Sequence, residues 1–491
     1  MSKFKLYIDG EFCDAPDGAV FASIDPATEE AWTEVPEAKV EDVDRAVAAA
    51  KRALEVGAWA DMSATARGRM LCRLGDLLIE RADEFAEIET RDSGKVIHET
   101  AAQARYMAGY YHYYGGLADK IEGSVPPVDK PGMIAVTYRE PIGVVAAVVP
   151  WNSQIFLTAI KLGPALAAGN TVVVKCSEDA PATLLKFAEL IHDAGFPPGV
   201  VNVISGYGRP CGERLTSHPD VARVAFTGGP IAAQHVVRNT AENFAVLSLE
   251  LGGKSPVMVF DDANVESAVN GIVAGIFAAA GQSCVAGSRL LIQRGIRDEV
   301  IDKLAKKAAQ IRVGNPMNPA TQVGPLCTAR QRDGIEAAIV QTVQVGGEII
   351  TGGKRPDGFN RGFYFEPTII LTEGDGMETY ENELFGSVLS ARTFDDEDEA
   401  IALANASEYH YASGAFTSDM ARSMRISKKV TAGITYLNTW RVVSPTAPFG
   451  GNKQTGYGRE SGMDAINDYT RTKTVWINTS DEPMPDPFVM R

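Results

Sequence analysis

The sequence predicts an α/β protein organised around a doubly wound parallel sheet. Three observations carry this. From residue 142, short apolar runs alternate with stretches of helical length: IGVVAAVVP, then 154–168, then TVVVK at 171–175, then 181–194. Strands alternating with helices require right-handed crossovers, which build a parallel sheet. The strand runs are continuous in Val, Ile and Ala rather than alternating, as suits strands covered on both faces. Finally, 491 residues exceed one ordinary hydrophobic core, so two or three domains are expected.

Taken in order, residues 1–35 read as short strands and turns (LYIDGEF, then Asp25-Pro26-Ala27-Thr28). Residues 41–119 read as helical, because Val43, Ala46, Val47, Ala50 and Ala53 recur near 3.6 spacing and a longer amphipathic helix runs from 63 to about 87. Pro-Pro and Pro-Gly punctuate 121–140 around a strand at 133–139, which needs a partner elsewhere, another subunit included. Strands at 199–204, 221–226 and 246–251, with a helix from about 231, complete the first α/β run. Residues 253–470 repeat that character: VMVFDD, a helix at 265–280, RLLIQ, a helix at 297–311, EPTIILTE, VLSARTF and a helix at 397–405. From Asp468 the tail reads as an extended edge strand with a Pro-rich end.

Composition narrows the function classes. A formal net charge of −16 argues against nucleic acid or an anionic membrane surface as partner, since both need basic patches. Six single cysteines (13, 72, 176, 211, 284, 327) contain no CxxC pair, which is neither a disulfide framework nor a zinc pattern, and no metal is expected. The start, MSKFKLYIDGEF, has no apolar h-region, and a cytoplasmic setting is expected.

The chemistry centres on Gly281-Gln282-Ser283-Cys284-Val285-Ala286-Gly287, a cysteine in a small-residue loop. Alone, Cys284 reads as a packed thiol or as a nucleophile. Glu250 closes an apolar strand in Leu249-Glu250-Leu251-Gly252-Gly253-Lys254. A carboxylate there is costly unless paired or used, and burial raises its pKa into the range of a general base. Asn152 follows Pro150-Trp151 at the end of the first buried strand; its neutral amide suits an oxyanion donor or a helix cap. Phe226-Thr227-Gly228-Gly229 joins a strand to a helix, where backbone N–H groups favour an anion. Lys175, with Ser177 and Glu178, ends another strand at the edge where nucleotides bind in such sheets. Gly206-Tyr207-Gly208 with Gly212 imitates a dinucleotide fingerprint, but Cys211 stands where the third glycine belongs, so it is read as a loop.

Together these stretches, with Glu383-x-Phe385-Gly386 and Pro448-Phe449-Gly450-Gly451, resemble the NAD(P)-dependent aldehyde dehydrogenase superfamily over nearly the whole chain. The resemblance implies a Rossmann-type NAD-binding domain (1–120 and 141–252), a second α/β catalytic domain (253–453), and a small β oligomerisation arm with the C-terminal segment (121–140 and 454–491). It implies Cys284 as nucleophile, Asn152 as oxyanion donor and Glu250 as general base for thioester hydrolysis. Trp151, Lys175, Ser177, Glu178, Thr227, Gly228, Gly229, Leu251, Glu383 and Phe385 fall on cofactor-binding positions. Phe156, Leu157, Ile160, Ser283, Val285, Arg441 and Phe449 fall on substrate-tunnel positions. Glu460 matches a glutamate with either a proton-relay or a structural role. NAD is favoured over NADP, because Glu178 would accept from a ribose 2′-OH and repel a 2′-phosphate. The partner is a small aldehyde, and the expected assembly is a homodimer or homotetramer. Gly229-Pro230 replaces the family's usual Ser-Thr, so pyrophosphate contacts there lean on backbone. The alternatives are a CoA-acylating semialdehyde dehydrogenase, against which Glu250 argues, and a non-catalytic protein of the same fold.

Overall fold

The computed structural model describes residues 4–484 and 486–489; residues 1–3, 485, 490 and 491, at the ends of the expected outer segments, lie outside the described residues. Two sheets carry the molecule. The first has eight strands in the order Glu11–Cys13, Leu6–Ile8, Val201–Ser205, Thr171–Cys176, Val144–Val148, Val221–Thr227, Val246–Glu250, Gly456–Tyr457. The five central strands are parallel, and all but Val246–Glu250 are almost wholly buried, as their unbroken apolar runs require. Val144–Val148 has its successor Thr171–Cys176 on one side and Val221–Thr227 on the other. The strand order reverses there, and the crevice beyond the carboxyl ends at such a point is where an open α/β sheet takes its ligand.

The second sheet runs Glu348–Thr351, Thr368–Leu371, Val388–Phe394, Arg289–Gln293, Pro256–Val259, Ala412–Phe416, Ile434–Leu437, parallel except at its first pair. The fold class is therefore as expected, α/β with two largely parallel sheets. Ala412–Phe416 is the strand least visible in the sequence. Its Ala-Ser-Gly-Ala-Phe composition carries little strand propensity. Its small size is needed: a Cβ on Gly414 would lie 2.3 Å from the Trp440 ring.

Three expectations need correction. The helix expected from 63 to about 87 is two helices, Ala64–Glu80 and Ala82–Ser93, because Arg81 leaves helical geometry at φ −110°, ψ 17°. The helix expected over 265–280 stops at Ile276, because Ala279 and Ala280 turn left-handed. The strand around 133–139 finds its partner in its own chain: Met133–Pro141 pairs antiparallel with the tail strand Thr470–Asn478 over their full length. Among the described residues no helix is long and apolar enough to cross a membrane.

Arg289 ties the start of the second sheet to the end of the first. It is 1 % exposed, and its guanidinium donates to three backbone carbonyls: Lys254 at 2.8 Å, Leu403 at 2.9 Å and Ala404 at 2.8 Å. Arg289→Met would strip two buried acceptors and one half-buried acceptor of their donor at once. The expected loss is about 3 kcal/mol or more, read as a lower urea midpoint, and Arg289→Lys should recover only part of it because one ammonium cannot span the same fork.

Candidate active site

The cysteine loop is built from strained backbone. Ala279 (φ 52°), Ala280 (φ 53°) and Gly281 (φ 72°) lie consecutively in the left-handed region. For alanine this costs about 1–2 kcal/mol per residue, so the surroundings must hold it. Glu99 does so from one side, its carboxylate accepting the Ala279 N–H at 3.0 and 3.1 Å. Gln282, buried, holds it from the other: its Oε1 accepts from the Cys327 N–H at 2.8 Å. Asn152 Nδ2 donates to the Gln282 carbonyl at 3.1 Å, which docks Asn152 two residues from Cys284. On the far side of the thiol, Trp440 Nε1 donates to the Val285 carbonyl at 3.0 Å.

Cys284 sits half-buried in this frame. Burial pushes its thiol up to about 12; the neighbouring Tyr411 hydroxyl works against burial, and the negative charge of Glu250 adds to it. Glu250 is the last residue of Val246–Glu250 and is buried. Tyr411 Oη donates to its Oε2 at 2.6 Å, while Oε1 has no hydrogen-bond partner among the described residues. Burial, and then the charge of Glu460, hold the Glu250 carboxyl well above its ordinary range, against the opposing pull of Tyr411 and Lys161. Glu460 is itself buried and ion-paired with Lys161, whose ammonium also donates to Thr227 Oγ1 at 2.8 Å. The second carboxylate therefore carries its own counter-ion, and among the described residues Glu250 has none.

Most of the nucleotide-side candidates meet at the sheet's reversal point. Trp151, Lys175, Ser177, Glu178, Thr227, Gly228 and Gly229 all line one cavity of about 500 Å³. Lys175 Nζ and Glu178 Oε2 are 3.1 Å apart. Burial pushes the Glu178 carboxyl up, but the Lys175 ammonium and neighbouring backbone donors outweigh it and hold the carboxyl below its ordinary value. The helix Pro230–Asn239 opens on this cavity with Gly229 at its N-cap and no side-chain cap. A Cβ on Gly229 would meet nothing within 4 Å.

Leu251, Glu383 and Phe385 lie outside that cavity. Leu251 is buried and donates its N–H to the Thr455 carbonyl at 2.9 Å. Glu383 Oε1 accepts from the Gly253 N–H at 2.8 Å; burial pushes its carboxyl up to about 7, opposed by that bond and by Lys254. Phe385, at φ 55°, meets Trp151 edge-on with centroids 5.5 Å apart, which joins the two groups of candidates.

On the other side of the thiol, Phe156, Phe449 and Tyr411 form an aromatic chain with centroids 5.8 and 5.3 Å apart. Val285 is buried beside the thiol and Ser283 is half-buried. Leu157 and Ile160 are buried in the core behind Phe156. Arg441, at φ 58°, is half-exposed and donates to the Ala274 carbonyl at 3.4 Å. Tyr436 donates its hydroxyl to the Val442 carbonyl at 3.1 Å and packs its ring on Trp440 with centroids 5.2 Å apart.

The description "aldehyde dehydrogenase family" belongs to the family model that matches residues 12–475. The chain belongs to that family. It is thus an aldehyde-oxidising enzyme of the NAD(P)-dependent kind. A protein of Acinetobacter baylyi (strain ATCC 33305 / BD413 / ADP1) named (Z)-2-((N-methylformamido)methylene)-5-hydroxybutyrolactone dehydrogenase is 54% identical over 492 residues, covering 100% of both chains. The structure of PnpE from Pseudomonas sp. WBC-3 superposes with a TM-score of 0.95 at 42% identity, covering 99% of each chain. Betaine aldehyde dehydrogenase (betB) of Staphylococcus aureus, in complex with NAD+, gives a TM-score of 0.97 at 35% identity, covering 100% of this chain and 97% of that one.

Three features of this aldehyde dehydrogenase escaped the sequence reading. Lys161 stands in an otherwise apolar helix, Gln154–Ala167, and a lone lysine there was the available signal for its buried partner Glu460. Tyr411 carried no signal, since its neighbours do not pattern as a strand. Gly208–Gly212, expected as a loop, is instead a π-helical turn that runs directly into the helix Glu213–Ser217, and it borders the 500 Å³ cavity. The fit of the cysteine loop is tight: a Cβ on Gly281 would lie 2.1 Å from the Gly386 carbonyl oxygen. Gly281→Ala is expected to cut kcat by about tenfold or more with a small change in cofactor KM, since a 1 Å misplacement of a nucleophile is enough for that; steady-state NADH formation checks it.

Proposed function

We propose that the chain oxidises an aldehyde to its carboxylic acid with NAD+ through a covalent intermediate on Cys284. The observation that carries this is the meeting of Cys284, Glu250 and Asn152 around one strained loop, with a buried carboxylate kept free of any cation of its own. In this mechanism the Cys284 thiolate adds to the aldehyde carbon. The Asn152 amide and the Cys284 N–H hold the resulting oxyanion of the thiohemiacetal. NAD, when bound, supplies the hydride acceptor that turns the thiohemiacetal into a thioester. Glu250 then takes a proton from the water that hydrolyses the thioester.

The donor set supports a dinucleotide. Glycine backbone at the open helix start suits a pyrophosphate, and the Lys175–Glu178 pair suits a ribose diol. The Glu178 carboxylate, held ionised, favours NAD over NADP by repulsion of a 2′-phosphate. Trp151, Phe385 and Glu383 would lie toward the nicotinamide, and Glu460 with Lys161 would relieve Glu250 of its proton. We retain 1–120 with 141–252, 253–453, and 121–140 with 454–491 as the division into NAD-binding, catalytic and bridging parts. The exposed Ile134, Tyr138 and Trp476 of the paired arm support a homo-oligomeric contact there.

For the substrate we infer an aldehyde that carries a carboxylate. A 5-hydroxybutyrolactone, the compound in the name of the 54%-identical relative, is the ring-closed form of a 4-oxo acid. Opening that ring yields an aldehyde and a carboxylate on one short chain. Arg441, the cation among the substrate-tunnel candidates, would pair with that carboxylate.

Two measurements test these proposals. Cys284→Ser is expected to lose NADH formation by a factor of about 10³ or more, and the parent to release free acid without added CoA; a CoA requirement would overturn the hydrolytic mechanism. Arg441→Ala is expected to lower kcat/KM for a semialdehyde acid about tenfold or more while leaving a neutral aldehyde of equal length unchanged, a loss of about 1.4 kcal/mol of transition-state binding. Equal effects on both substrates would remove Arg441 from carboxylate recognition.

A further inference from the structure

A buried ion pair stands behind the turn that carries Asn152. Glu89, in the helix Ala82–Ser93, is 1 % exposed, and Lys95, just after that helix, is 6 % exposed; Lys95 Nζ lies 3.6 Å from Glu89 Oε1. Charges are costly to bury, and such a pair stabilises a fold only when its other donors and acceptors are also used. Here they are used on residues 151–154. The Lys95 ammonium donates to Ser153 Oγ at 3.3 Å and to Gln103 Oε1 at 2.6 Å. Ser153 is the N-cap of the helix Gln154–Ala167, yet its side chain makes no cap bond. A serine there ordinarily gives its oxygen to its own helix; this one gives it to the lysine. Gln154 is buried, and its amide nitrogen donates to Glu89 Oε1 and to the Trp151 carbonyl, both at 3.0 Å. The opposite orientation of that amide would set its oxygen against two acceptors.

The ion pair therefore holds both neighbours of Asn152: Ser153 directly, and Trp151 through Gln154. From the other side, the Gln282 carbonyl accepts from Asn152 Nδ2 at 3.1 Å. We propose that Lys95 and Glu89 are positioning residues for the oxyanion amide: the buried pair fixes the turn 151–154 and so sets the angle at which Asn152 presents its amide to the cysteine loop. The proposal rests on Asn152 being the oxyanion donor. Charge suits the task. An ammonium has three N–H groups, and this one faces acceptors on Ser153, Gln103 and Glu89. Charge-assisted bonds also hold a geometry more firmly than neutral ones. Neither residue takes a proton or a bond in the reaction; both act through the turn.

The test uses the full-length enzyme with saturating NAD+. First-turnover NADH formation is followed with 4-oxobutanoate and with butanal, so that the readout does not depend on Arg441. Lys95→Met/Glu89→Gln removes the pair together and leaves no lone buried charge. The rate should fall about tenfold. Iodoacetamide alkylation of Cys284 at neutral pH, read at its own peptide by mass spectrometry, should stay within about twofold of the parent, because the thiol itself is untouched. Asn152→Ala alone should lower NADH formation by about 10², the cost of one oxyanion donor. Added to Asn152→Ala, the pair variant should cost no further rate, since residues that act as one unit are not additive. An unchanged rate in the folded pair variant would overturn the positioning role. An equal fall with and without Asn152, or alkylation that drops in step with NADH formation, would do the same, because a merely structural role produces both. Should the pair variant not fold, Ser153→Ala removes only the hydroxyl that Lys95 grips. It should lower the rate about threefold with Asn152 present and not at all in Asn152→Ala, and an unchanged rate overturns the role here too. If Asn152→Ala keeps the parent's rate, the oxyanion assignment beneath the proposal fails. If Asn152→Ala loses its rate and the pair variant does not, only the positioning role fails.

Discussion

A carboxylate buried without a cation is the constraint around which the site is arranged. Burying an ionised group unpaired is among the costliest things a fold can do, and the usual remedy is a counter-ion or a proton. This chain applies the two remedies to two neighbouring glutamates. Glu460 receives Lys161. Glu250 receives only a tyrosine hydroxyl, and the negative charge of Glu460 presses on it. The imbalance drives the proton affinity of Glu250 upward. A buried carboxyl held in this way is poised to take a proton from a reacting group.

The strain of the cysteine loop follows from the same geometry. Val265–Ile276 does not run on as a helix into the cysteine. Three left-handed residues turn it back. Alanine at two of these positions is a poor choice for the turn and a good one for space, because the loop is packed between Glu99, Gln282 and the Gly386 carbonyl. The bonds from Asn152 and Trp440 then grip the loop on either side of Cys284. The thiol is thus placed by backbone that cannot relax, which is the condition for a nucleophile that must meet its substrate at one angle.

What the sequence made legible, and what it did not, divides along physical lines. Buried parallel strands declare themselves by apolar runs, so the central sheet was readable strand by strand. Glycines and charged residues at strand ends were readable as site candidates for the same reason: each breaks an otherwise uniform pattern. Ala279 and Ala280 break nothing, and a helix pattern passes through them although the backbone does not. The break at Arg81 is similar, since an arginine is an acceptable helix residue and only its ion pairs, a local one with Glu84 and a tertiary one with Glu189, accompany the change of direction. The intrachain partner of the strand Met133–Pro141 lies more than 300 residues away, and no local rule connects them.

Tyr411 is the sharpest case, because its importance comes wholly from where a weak strand delivers it. Ala412–Phe416 is small because Trp440 lies across Gly414, and Trp440 is there because it grips the Val285 carbonyl beside the nucleophile. Packing around the cysteine loop therefore dictates the strand, and the strand in turn sets the tyrosine against Glu250. Read locally, an aromatic residue before a small-residue strand is ordinary core. In the fold it is a buried phenol whose one proton goes to the Glu250 carboxylate. The residues that hold a site can be inferred from breaks in pattern, but a residue that joins two halves of a site shows its role only once the halves are in contact.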